Sequence, residues 1–302
     1  MPRATTILKD FSFVGGAVRD HKRAYLLAVQ DDLAEKREPH GAFFTWVDGR
    51  WGQENVQWAA VSLCVARTPK HQMIAVGEYG DVLVAGSGEL YHEEIKVGRL
   101  LPETRGTLRC VRAIDGIPYA AGMDRQVYRR VGPKKWMCID ASMRPKPGSR
   151  RVVGFESIDG FSEQDIYAVG WDGCIWHYNG VTWKEIESPT NLILAAVCCA
   201  GDGWVYASGQ EGILLRGRDQ RWEVLQHGHS QNLTSIAWYG GELFVSSEQL
   251  VYTLAKHKLK PATFGKDIPG TAYHLHSADG VLWSIGAKDI MAFNGRRWSR
   301  IA

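Results

Sequence analysis

Short runs of alternating apolar and polar residues fill this chain, punctuated by Gly, Asp and Asn, and helical periodicity is nearly absent. The unit is clearest from residue 192 onward. It reads as a strand (LILAAVCCA), a turn (GDG), a second strand (WVYASG), a turn (QEG), a third strand (ILLRG), a turn (RDQ) and a fourth strand (RWEVLQ). That pattern predicts a four-stranded antiparallel meander.

The second strand of the unit recurs. AYLLAV at 24–29 is followed by MIAVG ending at Gly77, PYAAG at Gly122, IYAVG at Gly170, VYASG at Gly209, LFVSS at Ser247 and LWSIG at Gly286. From Gly77 the intervals are 45, 48, 39, 38 and 39 residues, a period that indicates a solenoid or a propeller. Downstream of the phrase lies a polar turn followed by tryptophan, at Trp51, Trp136, Trp183, Trp222 and Trp298. Trp222 and Trp298 stand 76 residues apart, two periods, with Leu259 near the skipped position; Trp51 and Trp136 stand 85 apart, again two. The count is seven repeats.

A lone meander leaves two apolar faces open to water, so the repeats must stack face to face around an axis, which leaves only short protected edges. The expected fold is therefore all-β, a single seven-bladed β-propeller of four-stranded antiparallel blades. Blades are expected at 12–56, 57–97, 106–141, 152–188, 192–227, 231–265 and 270–302, with 1–11 a candidate closing strand between first and last. The repeated tryptophans are expected to fill the gaps between blades, since one aromatic buries on the order of 200 Å². The small residues of the AVG phrase suit close blade contact, and its glycine is expected to permit the turn.

Residues 157–188, SIDGFSEQDIYAVGWDGCIWHYNGVTWKEIES, resemble repeats of the photosystem II assembly-factor-like and sialidase-like propellers, whose blades run dIyAVG..G.I.hydG.tW. The resemblance implies a propeller and, through its assembly-factor members, protein binding. It does not extend to sialidase chemistry. Sialidase Asp-boxes run S-x-D-x-G-x-x-W, and aligning on Gly180 and Trp183 puts Tyr178 at the Asp position and Trp176 at the Ser position. The arginine triad, acid/base Asp and nucleophilic Tyr have no matching positions, and the WD and GH signatures of WD repeats are missing as well.

Composition narrows the function classes. With 36 basic and 33 acidic residues the formal net charge is only +3, too small an excess on 302 residues to indicate a nucleic-acid protein. Residues 1–10 lack an apolar signal region and no stretch approaches the roughly 18 apolar residues that cross a bilayer, so a cytoplasmic, non-membrane protein is expected. The six cysteines show no CxxC pair and mostly fall within apolar runs, as buried free thiols would.

Candidate chemistry is sparse. HLH, His274 and His276, places two rings on one face of a strand about 6–7 Å apart, a weak metal candidate beside the plainer reading of inner-strand histidines bonded near the channel. HGH, His227 and His229, reads as a solvated loop. Ser87 and Ser208 lack a nucleophile elbow, no P-loop or dinucleotide fingerprint occurs, and turn acids such as Asp165 and Asp172 read as solvated. No cofactor is expected, and the motifs argue against an enzyme.

Loop lengths point elsewhere. In a propeller the second-to-third strand turns and the connections between blades share one rim, and here that rim carries the long segments, 31–41, 96–106 and 140–151. Long ordered loops on a rigid scaffold mark a binding face. The expected partner-binding residues are Asp31, Asp32, Glu35, Arg37, Arg105, Arg144, Lys146 and Arg150. The leading expectation is a non-catalytic protein-binding propeller, an assembly factor or a bacterial immunity protein whose partner is another protein, such as a toxin domain. The alternatives are a hydrolase or lyase working at the channel mouth, which requires converging titratable groups, and a glycan-binding module, which requires exposed aromatics at equivalent positions of several blades.

Overall fold

The computed structural model describes residues 9–146, 152–256 and 258–302. Its strands form seven sheets of four, each in sequential order, arranged as blades around a central channel. This is the seven-bladed β-propeller that the repeat predicts. Neighbouring strands within each blade are antiparallel, as in Leu194–Cys199, Val205–Gly209, Leu214–Arg218 and Arg221–Val224 of the fifth blade.

There is no single core. The buried apolar residues fall into seven clusters, each shared by two adjacent blades, so every blade is stable only against its neighbours. The tryptophans opening the fourth strands supply these seams. Trp51 packs with Trp283 and Ile285 of blade 7, Trp136 with Val82 and Val84 of blade 2, and Trp183 with Ile114 of blade 3. Leu259, in the skipped position, is buried between blades 5 and 6. Blade 2 departs from the pattern: its fourth strand, Glu89–Glu94, carries Leu90, whose surface is 56% exposed.

The glycine ending the second strand has a different cause from the turn expected of it. At Gly170 φ is 176°, extended backbone open to any residue. A Cβ there would stand 2.2 Å from the carbonyl oxygen of Gly154, and at Gly209 it would stand 2.1 Å from that of Ile193. Those same carbonyls accept the amides of the following residues, Trp171 N–H to Gly154 O and Gln210 N–H to Ile193 O, both at 3.0 Å. Close approach of the inner strand's entry, not dihedral freedom, excludes a side chain.

All four strands of blade 7 come from the C-terminal segment, starting with His274–Ala278, and all four of blade 1 from the N-terminal one, starting with Phe11–Asp20. The candidate closing strand at 1–11 lies outside the described residues except for 9–11, and Phe11 already belongs to blade 1. The two terminal blades meet face to face, sharing one apolar cluster. Phe13 N–H donates to Ala287 O at 2.9 Å, Trp46 and Trp283 meet at a centroid distance of 5.2 Å, and Lys288 donates to Phe11 O at 2.7 Å.

Candidate protein-binding rim

The three long segments all emerge on one rim, as strand order requires. The first contains a five-residue helix, Asp31–Glu35, with no buried residue. His40 anchors its return, accepting Gln30 N–H on Nε2 at 2.9 Å while Nδ1–H donates to Glu38 O at 2.6 Å. Asp32, Glu35 and Arg37 are exposed, with Lys36 reaching Asp32 at 4.0 Å. Asp31 is different: its carboxylate accepts Ser12 Oγ–H and Lys288 Nζ–H, each at 2.7 Å, tying the loop to the seam between blades 1 and 7. Burial raises its pKa, but the Lys288 and Ser12 bonds outweigh that and hold the carboxyl below its usual value.

The second and third segments are knotted together on Asp140, whose side chain is fully buried. Its Oδ2 accepts Arg105 Nη1–H at 2.7 Å, Val127 N–H at 3.1 Å and the Cys138 thiol at 3.0 Å; its Oδ1 accepts Arg144 Nε–H at 2.6 Å. Burial alone would push this carboxyl up, yet the bonds from Cys138, Arg105 and Arg144 hold it below its ordinary value. Arg105, expected at the surface, has a side chain only 10% exposed and is committed to this knot. Arg144 is half spent in the same way, while Lys146 is exposed. Arg150 lies outside the described residues.

Sequence spacing did not reveal Asp140 as the organiser. Its arginines lie 35 residues before it and 4 after it, in segments that read as separate loops.

The channel offers about 600 Å³ between the inner strands. Two inner-strand carboxylates are held by arginine across the seam of blades 3 and 4: Arg109 reaches both oxygens of Glu156 at 3.0 and 3.1 Å, and Arg112 reaches Asp159 at 3.3 Å. His274 and His276 face this channel and are used for ring closure. Nε2–H of His274 donates to Gly16 O at 2.9 Å, and Nδ1 of His276 accepts Val18 N–H at 3.1 Å, which fixes it as the neutral Nε2–H tautomer. Burial depresses both, with Arg112 adding to it, so that His274 falls to about 4 and His276 well below the usual value. Among the described residues no group of three or more His, Cys, Asp or Glu is arranged to hold a metal ion.

Other expectations change too. His227 and His229 are not a solvated loop: Nε2–H of His227 donates to Gly212 O at 2.8 Å, and His229 packs on Tyr252 at 5.0 Å. Asp165 is likewise no free turn acid, being paired with His177 at 2.9 Å and Arg218 at 2.5 Å. The strongly exposed aromatics, Tyr79 at 55% and Trp204 at 39%, sit on opposite rims rather than at equivalent positions.

No family model matches the chain. The immune protein Tsi7 of Pseudomonas aeruginosa is 47% identical over 297 residues, spanning 96% of this chain and 97% of that one. The chain belongs to the Tsi7 family. Solved structures place this Tsi7-family chain among propellers at the level of fold alone. YCF48 bound to D1 peptide aligns over 94% of this chain and 91% of its own, with a TM-score of 0.68 at 13% identity. The WD40 repeats of RRP9 cover 96% and 91%, with a TM-score of 0.67 at 12% identity. This Tsi7-family chain is thus a propeller, and no helix of its described residues is long and apolar enough to cross a membrane.

Proposed function

We propose that this chain is an immunity protein that neutralises a toxin by binding it through the long-loop rim of blades 1–3, in the cytoplasm of a bacterium. The observation that carries the reading is the 47% identity to the immune protein Tsi7 across nearly the full length of both chains. The rim supports it physically. Exposed Asp32, Glu35, Arg37 and Lys146 offer charges of both signs, while Asp31, Asp140, Arg105 and Arg144 fix the loops that carry them. Ordered loops lose little entropy on docking, and complementary charge steers the encounter.

The test is purification of the tagged protein from its native cells, with co-purifying proteins identified by mass spectrometry. The variant Asp32→Lys, Glu35→Lys, Lys146→Glu is carried in parallel. The account expects one stoichiometric partner, with toxicity relieved by the wild-type chain, and binding weakened roughly tenfold or more in the variant. A partner retained at equal strength by the variant would move the binding face off this rim.

A further inference from the structure

On the opposite rim the channel opens between Arg19, Arg67 and His71, and the cavity behind it is lined by Arg19, Arg67, Arg109 and Arg112 against Asp115 and Glu156. The carboxylates near this mouth keep their charge and also accept turn amides. Asp115 Oδ2 accepts Glu163 N–H at 3.1 Å, Asp20 Oδ1 accepts Lys22 N–H at 2.9 Å, and Asp279 Oδ2 accepts His21 N–H at 3.3 Å and its Nδ1–H at 3.1 Å.

The guanidiniums are only lightly engaged. Among the described residues Arg67 has no ion-pair partner, and Arg19 pairs only with its own neighbour Asp20, Nε to Oδ2 at 3.6 Å, with no hydrogen bond to Nε. Their placement is fixed by the fold rather than by a bound group. Arg19 lies on the inner strand Phe11–Asp20, and the loop carrying Arg67 is pinned by Arg67 N–H and Thr68 N–H, both donating to Gly116 O at 2.8 and 3.2 Å. His71 reports the resulting field: burial lowers its pKa first, and Arg19 and Arg67 lower it further against a smaller opposing effect of Asp20.

We propose that this mouth is a binding site for a compact oxyanion, a phosphate group or a small polycarboxylate, held by Arg19 and Arg67 with His71 at its side. A cavity of about 600 Å³ leads inward from it, and low-dielectric walls concentrate the positive potential there. Guanidinium groups pair with oxyanions through parallel N–H bonds, so the terminal N–H groups of Arg19 and the Arg67 fork supply the donors such a ligand needs. The site lies on the rim away from the long loops and is independent of the partner-binding reading.

The test titrates the intact protein with inorganic phosphate and, separately, with citrate. Calorimetry follows binding and the carbon-bound ring protons of His71 are followed by NMR. Saturable one-to-one binding is expected, with the His71 pKa rising as the anion offsets the arginines. Arg67→Gln, at an exposed position, should weaken binding about tenfold or more with an unchanged melting curve. Arg296→Gln, on the same rim but away from the cavity, should leave it unchanged. Tighter binding of phosphate or of citrate identifies the ligand class. No saturable binding, no response of His71 in the wild-type protein, or equal weakening by Arg296→Gln overturns the proposal.

Discussion

The two rims of the ring solve the same problem, joining strands, in opposite ways. On one side the turns are minimal and conformational: Asp48–Gly49, Asp115–Gly116 and Asp279–Gly280 each place two residues at positive φ between paired strands. Such two-residue loops match the twist of a hairpin, so their conformation is set locally even where neighbouring turns bond to them. On the other side the connections are long, and buried polar groups fix them: Asp140 for two loops, Asp31 for a third. The difference teaches where the molecule spends structure beyond what folding requires. Ordering a long loop costs conformational entropy that a short turn avoids, so loops held this firmly point to a surface that must keep its shape.

The sharpest way to break the contrast is Asp140→Ala. It strands the Arg105 guanidinium in a site where only 10% of that side chain is exposed. Loss of one partner of a buried pair costs about 3–5 kcal/mol. Urea unfolding should show that loss, with the segment around Arg105 exchanging its amides faster than the short-turn rim does.

Acidification should open the seam that joins both rims, between blades 7 and 1. His274 and His276 are held neutral in the fold, so between the ordinary histidine pKa of about 6.5 and the folded value the unfolded chain binds more protons. Stability is therefore fully present above about pH 6.5 and declines as pH falls toward 4, where His274 titrates in the fold. For His274 the loss is roughly 3 kcal/mol, the equivalent of a pKa held at about 4 in the fold against about 6.5 in the unfolded chain. Protonation of Nδ1 on His276 also removes the acceptor for Val18 N–H. Denaturant midpoints measured from pH 7.5 to 4 check the slope, and His274→Gln with His276→Gln should flatten it.

The smallest effect is expected on the short-turn rim. Val181, 86% exposed in the turn before Trp183, should accept aspartate with a stability change within about 0.5 kcal/mol and no change in partner binding. A large loss in either would show that this turn contributes to folding or to partner binding.

The legibility of the sequence follows the same divide. Residues that repeat because every seam needs them, the tryptophans and the glycine after the second strand, reveal the ring from one chain alone, even though the glycine's reason, a backbone carbonyl 2.2 Å from any Cβ, needs coordinates. Asp140 and His276 occur once. Val18, the partner of His276, lies 258 residues away, so no local spacing separates a ring-closing histidine from a metal ligand. The rim itself was legible from loop length, but which of its charges remain free was not: Arg105 and Asp31 turned out to be fasteners, leaving Asp32, Glu35, Arg37 and Lys146 at the surface.

The central claim, that the long-loop rim is the face that meets the partner, is tested most directly by hydrogen exchange on the purified complex compared with the free chain. The account predicts new protection concentrated in residues 31–41, 96–106 and 140–146, with the short turns unchanged. Protection confined to the short-turn rim, around Arg67 or Val181, would contradict it.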